Sequence, residues 1–153
     1  AQARSRFAKN VGRWAYLLRH ATQTLTPPFE QCDLHWRAAL STAAVVNVKK
    51  TGGRGCSDLR EIRNHFRQHS ARFFEQVNLL APRIIVTCGV GLFEILRPAL
   101  PNVQAVGRGR HWEGGRLWID FAHPSRRGSS DASLLRDLAT LYDRAVRPPA
   151  PAR

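Results

Sequence analysis

The stretch Pro82-Arg83-Ile84-Ile85-Val86-Thr87-Cys88-Gly89 constrains this chain most. Apolar and β-branched residues bracketed by a proline and a glycine read as a buried strand, and a strand covered on both faces needs helices to cover it. The flanking sequence supplies them. Upstream, Asp58 and Glu61 stand at capping-box spacing, and Leu59, Ile62, Phe66, Phe73, Val77 and Leu80 recur at helical intervals, so a helix is predicted from Asp58 to about Leu80, stopped by Pro82. Downstream, Gly89 and Gly91 turn the chain into a short helix over 92–96, halted near Pro98.

Two more apolar runs, Ala43-Ala44-Val45-Val46-Asn47-Val48 and Leu117-Trp118-Ile119-Asp120-Phe121-Ala122, read as strands. The Gly-rich stretch Thr51-Gly52-Gly53-Arg54-Gly55 reads as a turn, and 103–115 as turn-rich. A last amphipathic helix, capped by Asp131 or Ser130, carries Leu134, Leu135, Leu138, Leu141 and Tyr142, and residues 11–26 read as helical around Trp14, Leu17 and Leu18. Strands separated by helices require crossovers. The expected fold is therefore α/β, a three-layer α/β/α arrangement around a central, largely parallel sheet. Residues 1–146 are expected to form one domain, and the Pro-rich 147–153 a disordered tail. Ligands of such sheets bind beyond the carboxyl ends of the strands, where this reading puts Asn47 with Lys49, the Gly89 turn, and His123-Pro124-Ser125.

Charge narrows the partner. Among 153 residues, Lys+Arg is 24 against Asp+Glu 11, a formal net charge of +13, and all but Lys9, Lys49 and Lys50 of the 24 are arginine. Arginine's planar fork suits phosphate, so an anionic polymer, nucleic acid first, is the expected partner; coding bias toward arginine is the alternative. No apolar run approaches the roughly 20 residues that span a bilayer, and no signal-peptide core opens the chain. Membrane partners are thus not expected, and localisation is expected to be cytoplasmic, associated with the nucleoid. Cys32, Cys56 and Cys88 lack C-x-x-C spacing and read as reduced thiols.

The order of these motifs, an apolar strand bearing Asn47, a long helix, a Pro-Arg-Ile-Ile-Val-x-x-Gly strand, and a strand running into His123-Pro124-Ser125-Arg126, resembles the uracil-DNA glycosylase superfamily, nearest its iron-sulfur branch. The resemblance covers about residues 6 to 142 and is strongest over 43–91 and 117–127. It implies a uracil-DNA glycosylase-like fold and a DNA-repair enzyme that excises a flipped uracil or related base, acting as a monomer on DNA. Asn47 then matches the base-reading asparagine, His123 the residue that stabilises charge on the leaving base, and Phe7 the stacking aromatic. Ser125, Arg126 and Arg127 match the strand-gripping loop, and Lys49 joins them as a DNA contact. The chemistry agrees, since an amide both donates to and accepts from the imide edge of uracil, and a donor aimed at the departing carbonyl acts as an oxyanion hole worth about 3 to 4 kcal/mol.

The match also departs from the family. Its first motif, a Gly-rich loop that supplies the water-positioning acid or amide, would precede Phe7 and so lie upstream of Ala1; with Met 0, the chain is expected to be N-terminally truncated. Two cluster cysteines fall at Thr51 and near Ser70, so no iron-sulfur cluster, and no other metal or cofactor, is expected. His65 and His69 sit four apart without a following glutamate and read as a solvated face. Gly107-Arg108-Gly109-Arg110-His111-Trp112 reads either as a nucleic-acid-tracking segment or as a hairpin with Trp112 tucked inward. Two alternatives keep the fold without the reaction: a catalytically inactive module that binds nucleic acid or serves a larger complex, and, less favoured by motif, a nucleotide-binding regulatory domain.

Overall fold

The computed structural model describes residues 5–22, 24–48 and 58–146. In chain order these form α1 (Arg6–His20), α2 (Phe29–Leu40), α3 (Leu59–Leu80), β1 (Ile84–Cys88), α4 (Leu92–Leu96), a 3-10 turn (Arg97–Ala99), β2 (Gln104–Gly107), β3 (Arg110–Glu113), β4 (Arg116–Phe121) and α5 (Asp131–Val146). The class is mixed α/β, with one open four-stranded mixed sheet ordered β1-β4-β3-β2. Two compact units divide the chain, one from Ala1–Ala43 with Phe121–Arg153, the other from Ala44–Asp120.

In the first unit, α1 packs against α2 and α5. Trp14 and Leu17 of α1, Cys32, Trp36 and Ala39 of α2, and Leu134, Leu135 and Leu138 of α5 are buried. Gly12 permits the α1–α2 approach, since a Cβ there would stand 2.2 Å from the carbonyl oxygen of Trp36. The sequence reading lacks α2 altogether. Its amino end follows Pro27 and Pro28 with no side-chain cap, so the usual start signal is missing, although Cys32, Trp36 and Ala39 keep helical spacing.

In the second unit, Phe66, Phe73 and Val77 of α3, Phe93, Ile95 and Leu96 of α4, Leu100, and Trp118 of β4 form one core. α3 matches its predicted span: the Asp58 carboxylate caps it by accepting from the Arg60 amide at 2.8 Å, and Ala81 ends it in the left-handed region just before Pro82. β1, α4, β4 and α5 also appear where expected, to within a residue or two.

Three expectations need correction. The helix read over 11–26 is α1, which begins at Arg6 and ends at His20 with Ala21 extended. Residues 43–48 form no strand; Val46 and Val48 pack against the core while Val45 is 57% exposed and Asn47 lies in solvent. An apolar run was read as covered on both faces, and only its alternate side chains are covered. The turn-rich segment 103–115 instead contributes β2 and β3, which pair antiparallel with each other and with β4. Gly114 and Gly115, both at positive φ, supply the tight two-residue β3–β4 turn. Because β2, Gln-Ala-Val-Gly, is short and exposed along its length, it carries no apolar alternation to betray it. The parallel character lies in the β1–β4 pair, where the Leu117 amide also donates to the Arg83 carbonyl at 2.9 Å. Lys49, the 51–55 turn, Cys56 and the 147–153 tail lie outside the described residues.

Candidate nucleic-acid site around His123

Beyond β4 the chain makes a tight turn, in which the Arg126 amide donates to the His123 carbonyl at 2.9 Å. Pro124 occupies the second position of that turn, where its fixed φ suits the geometry. Its ring is fully buried and its carbonyl accepts from Asn10 Nδ2 at 2.7 Å. His123 itself is exposed, and its Nδ1 accepts from the Ser125 amide at 3.2 Å. An accepting Nδ1 leaves the ring proton on Nε2, so the imidazole presents an outward N–H donor. Against it lies Phe7, in the first turn of α1, with ring centroids 5.7 Å apart and planes tilted by 43°.

What holds this turn is a polar network that the sequence reading did not contain. Asn10, with no exposed surface, donates to both Pro124 and Asp131 Oδ1 and accepts from Arg13 Nη1 at 2.9 Å. Arg13, also buried, donates to Asp131 Oδ2 at 2.7 Å and pairs with Asp33 through Nε and Nη2. Arg6 donates to Asp131 Oδ1 at 2.7 Å and to the Ser129 carbonyl at 2.6 Å. Burial raises the Asp131 pKa, but hydrogen bonds from Arg6, Asn10 and Arg13 outweigh it and hold the carboxyl below its ordinary range. Asp131 is free for this because Ser130 caps α5, its hydroxyl accepting from the Ser133 amide at 3.0 Å. The signal was present in sequence: Arg6, Asn10 and Arg13 stand at i, i+4 and i+7, on one face of α1.

Of the residues expected at the site, Phe7, His123 and Ser125 come together here, with Arg126 and Arg127 exposed just beyond the turn. Asn47 belongs to the other unit, exposed on the 43–48 segment, and Lys49 lies outside the described residues.

The second unit has its own titratable cluster. His111 is buried and stacks on Phe93 with centroids 3.9 Å apart; burial first, then the Arg97 charge, pushes its pKa down. Burial raises Asp120, against the hydrogen bond from Thr87 at 3.1 Å. Cys88 is pushed up to about 12 by burial and the nearby Asp120, and Cys32 to about 11 by burial, so both thiols are held protonated and inert. Since His111 is buried and Trp112 partly so, 107–112 is a hairpin arm whose exposed arginine is Arg108 at the tip. Among the described residues no group of three or more His, Cys, Asp or Glu could hold a metal ion, and no helix is long and apolar enough to cross a membrane.

Comparison with protein-family models, with curated proteins and with solved structures finds no match to this chain.

Proposed function

We propose that the chain is a DNA-repair glycosylase-like domain that binds DNA as a monomer and excises a flipped uracil or related base. The observation that carries this reading is the Phe7–His123 pair. These residues stand far apart in sequence, each was assigned to the same flipped base, and their rings lie 5.7 Å apart. A base displaced from a duplex needs an aromatic surface on one face and donors along its edge. Phe7 offers the surface and the His123 Nε2–H a donor. Cleavage of the C1′–N1 bond sends its electron pair into the base, where charge gathers on a carbonyl oxygen. A fixed N–H aimed there stabilises the departing anion, water oxygen adds at C1′, and its proton neutralises the base. Asn47 reads the imide edge, and Ser125, Arg126, Arg127 and Lys49 hold the strand. The finer architecture belonging to this reading is a three-layer α/β/α arrangement; the β1–β4 pair is its parallel element, while the other two ladders of the sheet are antiparallel.

A second reading, base binding without hydrolysis, is favoured by one observation. The carboxylate tied to the His123 turn, Asp131, accepts from Arg6, Asn10 and Arg13 and is committed to structure rather than to activating water. The deciding experiment incubates the protein with a single-uracil oligonucleotide. The enzyme reading expects free uracil and an abasic site, with His123→Ala lowering the rate by about 100-fold or more. Uracil release unaffected by His123→Ala overturns the mechanism. No release, together with tighter binding of U than of T, selects the second reading; no release and no preference removes both.

A further inference from the structure

The first half of α3 carries a charge pattern that the His123 site does not use. From Leu59 to Gln68 the helix is regular, and His69 then departs from helical geometry at φ −128° and ψ 17°. Within the regular part Arg60, Arg63 and Arg67 are all exposed. At 3.6 residues per turn they fall within about 60° of one another around the axis, while Ile62, about 100° or more from each of them, and Phe66, about 60° or more, pack against the core. Asn64 and Gln68, also exposed, flank the arginines with further donors. Glu61 is the single acidic residue from 59 to 70, a quarter-turn or more away.

We infer that this face of α3 is a contact surface for the phosphate backbone of duplex DNA. The helix raises successive arginines by about 4.5 and 6 Å, and a DNA strand offers a phosphate about every 3.4 Å of its axis, so an inclined helix meets neighbouring phosphates. Each guanidinium can fork onto one phosphate, with the amides of Asn64 and Gln68 as neutral donors beside them. The face carries no aromatic side chain on which an unpaired base could stack, which favours a duplex over a single strand. The contact is with backbone alone and is therefore indifferent to sequence and to uracil. The choice of DNA over other polyanions rests on the proposed function; the contact itself does not require base excision.

The test measures binding to a labelled duplex containing no uracil, by fluorescence anisotropy over a series of KCl concentrations. The triple variant Arg60→Gln, Arg63→Gln, Arg67→Gln should lower the slope of log affinity against log salt by about 2.7. Equivalently, the drop in affinity from 50 to 200 mM salt shrinks by roughly 40-fold. The matching triple Arg→Lys variant should keep the wild-type slope. Circular dichroism and a thermal melt establish folding; if the triple glutamine variant fails to fold, each single variant should lower the slope by about 0.9. An unchanged slope in the folded glutamine variants overturns the inference. So does loss of binding to anionic phospholipid vesicles with duplex binding intact, which would assign the face to a membrane surface. Uracil release plays no part in the readout, so failure here leaves the His123 reading standing.

Discussion

Under the proposed function the His123 turn and the Asn47 segment both serve recognition of a base, and they are built by opposite means. His123 is exposed, but the residue after it is buried, its turn is closed by a backbone hydrogen bond, and Asn10 clamps the Pro124 carbonyl. Behind that clamp stand two arginines and two aspartates. Asn47 has only the packing of Val46 and Val48 on either side, and no hydrogen bond fixes its amide among the described residues. A donor that must meet a charge formed fleetingly in a transition state gains most from being fixed beforehand. An amide that reads a stable base edge can settle as the base arrives, at a cost in ordering entropy.

The sharpest way to break the contrast is Asp131→Ala. Removing this carboxylate leaves Arg13 buried with a charge that Asp33 alone must balance. Because Asp131 keeps 27% of its side chain exposed, the expected cost is about 3 kcal/mol, the low end for breaking a buried pair. Urea denaturation measures it. The same substitution should change the acid limb. In the native protein Asp131 titrates below its unfolded value of about 3.9, so its contribution is complete above that pH and is lost as pH falls through the depressed folded value. The variant should lose that part of the acid destabilisation, and under the proposed function uracil release should drop by up to about 100-fold as the His123 turn loosens. Wild-type stability in the variant would mean that the network does not hold the turn.

Gly12→Ala attacks the same side from the far face of α1. The new Cβ would meet backbone, the Trp36 carbonyl, which cannot swing aside as a flexible side chain can. α1 must shift, carrying Phe7, Asn10 and Arg13 with it. The expected loss is about 2 kcal/mol, read from thermal unfolding, with a parallel loss of uracil release under the proposed function.

What was legible in the sequence follows the same division. α3, β1, α4 and α5 announce themselves because each joins a punctuating Pro, Gly, Ser or Asp to an apolar period. β4 does so too, but the β2–β3 arm that pairs with it does not, because β2 buries nothing and the register is set by turn glycines rather than by a hydrophobic face. Residues 43–48 mislead in the other direction: composition marks them as strand, but a strand is defined by a ladder, and ladder partners cannot be read from one segment alone. At the site, His123 and Phe7 were legible as chemistry-bearing types in a familiar order. The network beneath them left only the shared face of Arg6, Asn10 and Arg13 as a signal, and a buried Asn10 looks in sequence like any polar residue of an exposed helical face. Asp131 was read as a cap, and only the structure shows Ser130 doing that work while Asp131 turns to the arginines.

Ser130→Ala separates those two roles. It removes the acceptor for the Ser133 amide but leaves the three donors to Asp131 untouched, so the expected cost is about 1 kcal/mol, with the acid limb unchanged. A loss as large as that of Asp131→Ala would show that the cap and the network are one cooperative unit.

Asn47→Ala gives the smallest expected effect on stability and sharpens the comparison most. An exposed side chain without a fixed partner should cost within about 0.5 kcal/mol when truncated, so the thermal midpoint should barely move. Under the proposed function the same change removes the group that reads the imide edge, and discrimination of U over T in matched oligonucleotides should fall by about 10-fold or more. If stability drops by 2 kcal/mol, Asn47 is part of the scaffold and its assignment to the base fails. If both stability and discrimination are unchanged, the base is read elsewhere, and the preorganised His123 turn must supply the selectivity as well as the leaving-group donor.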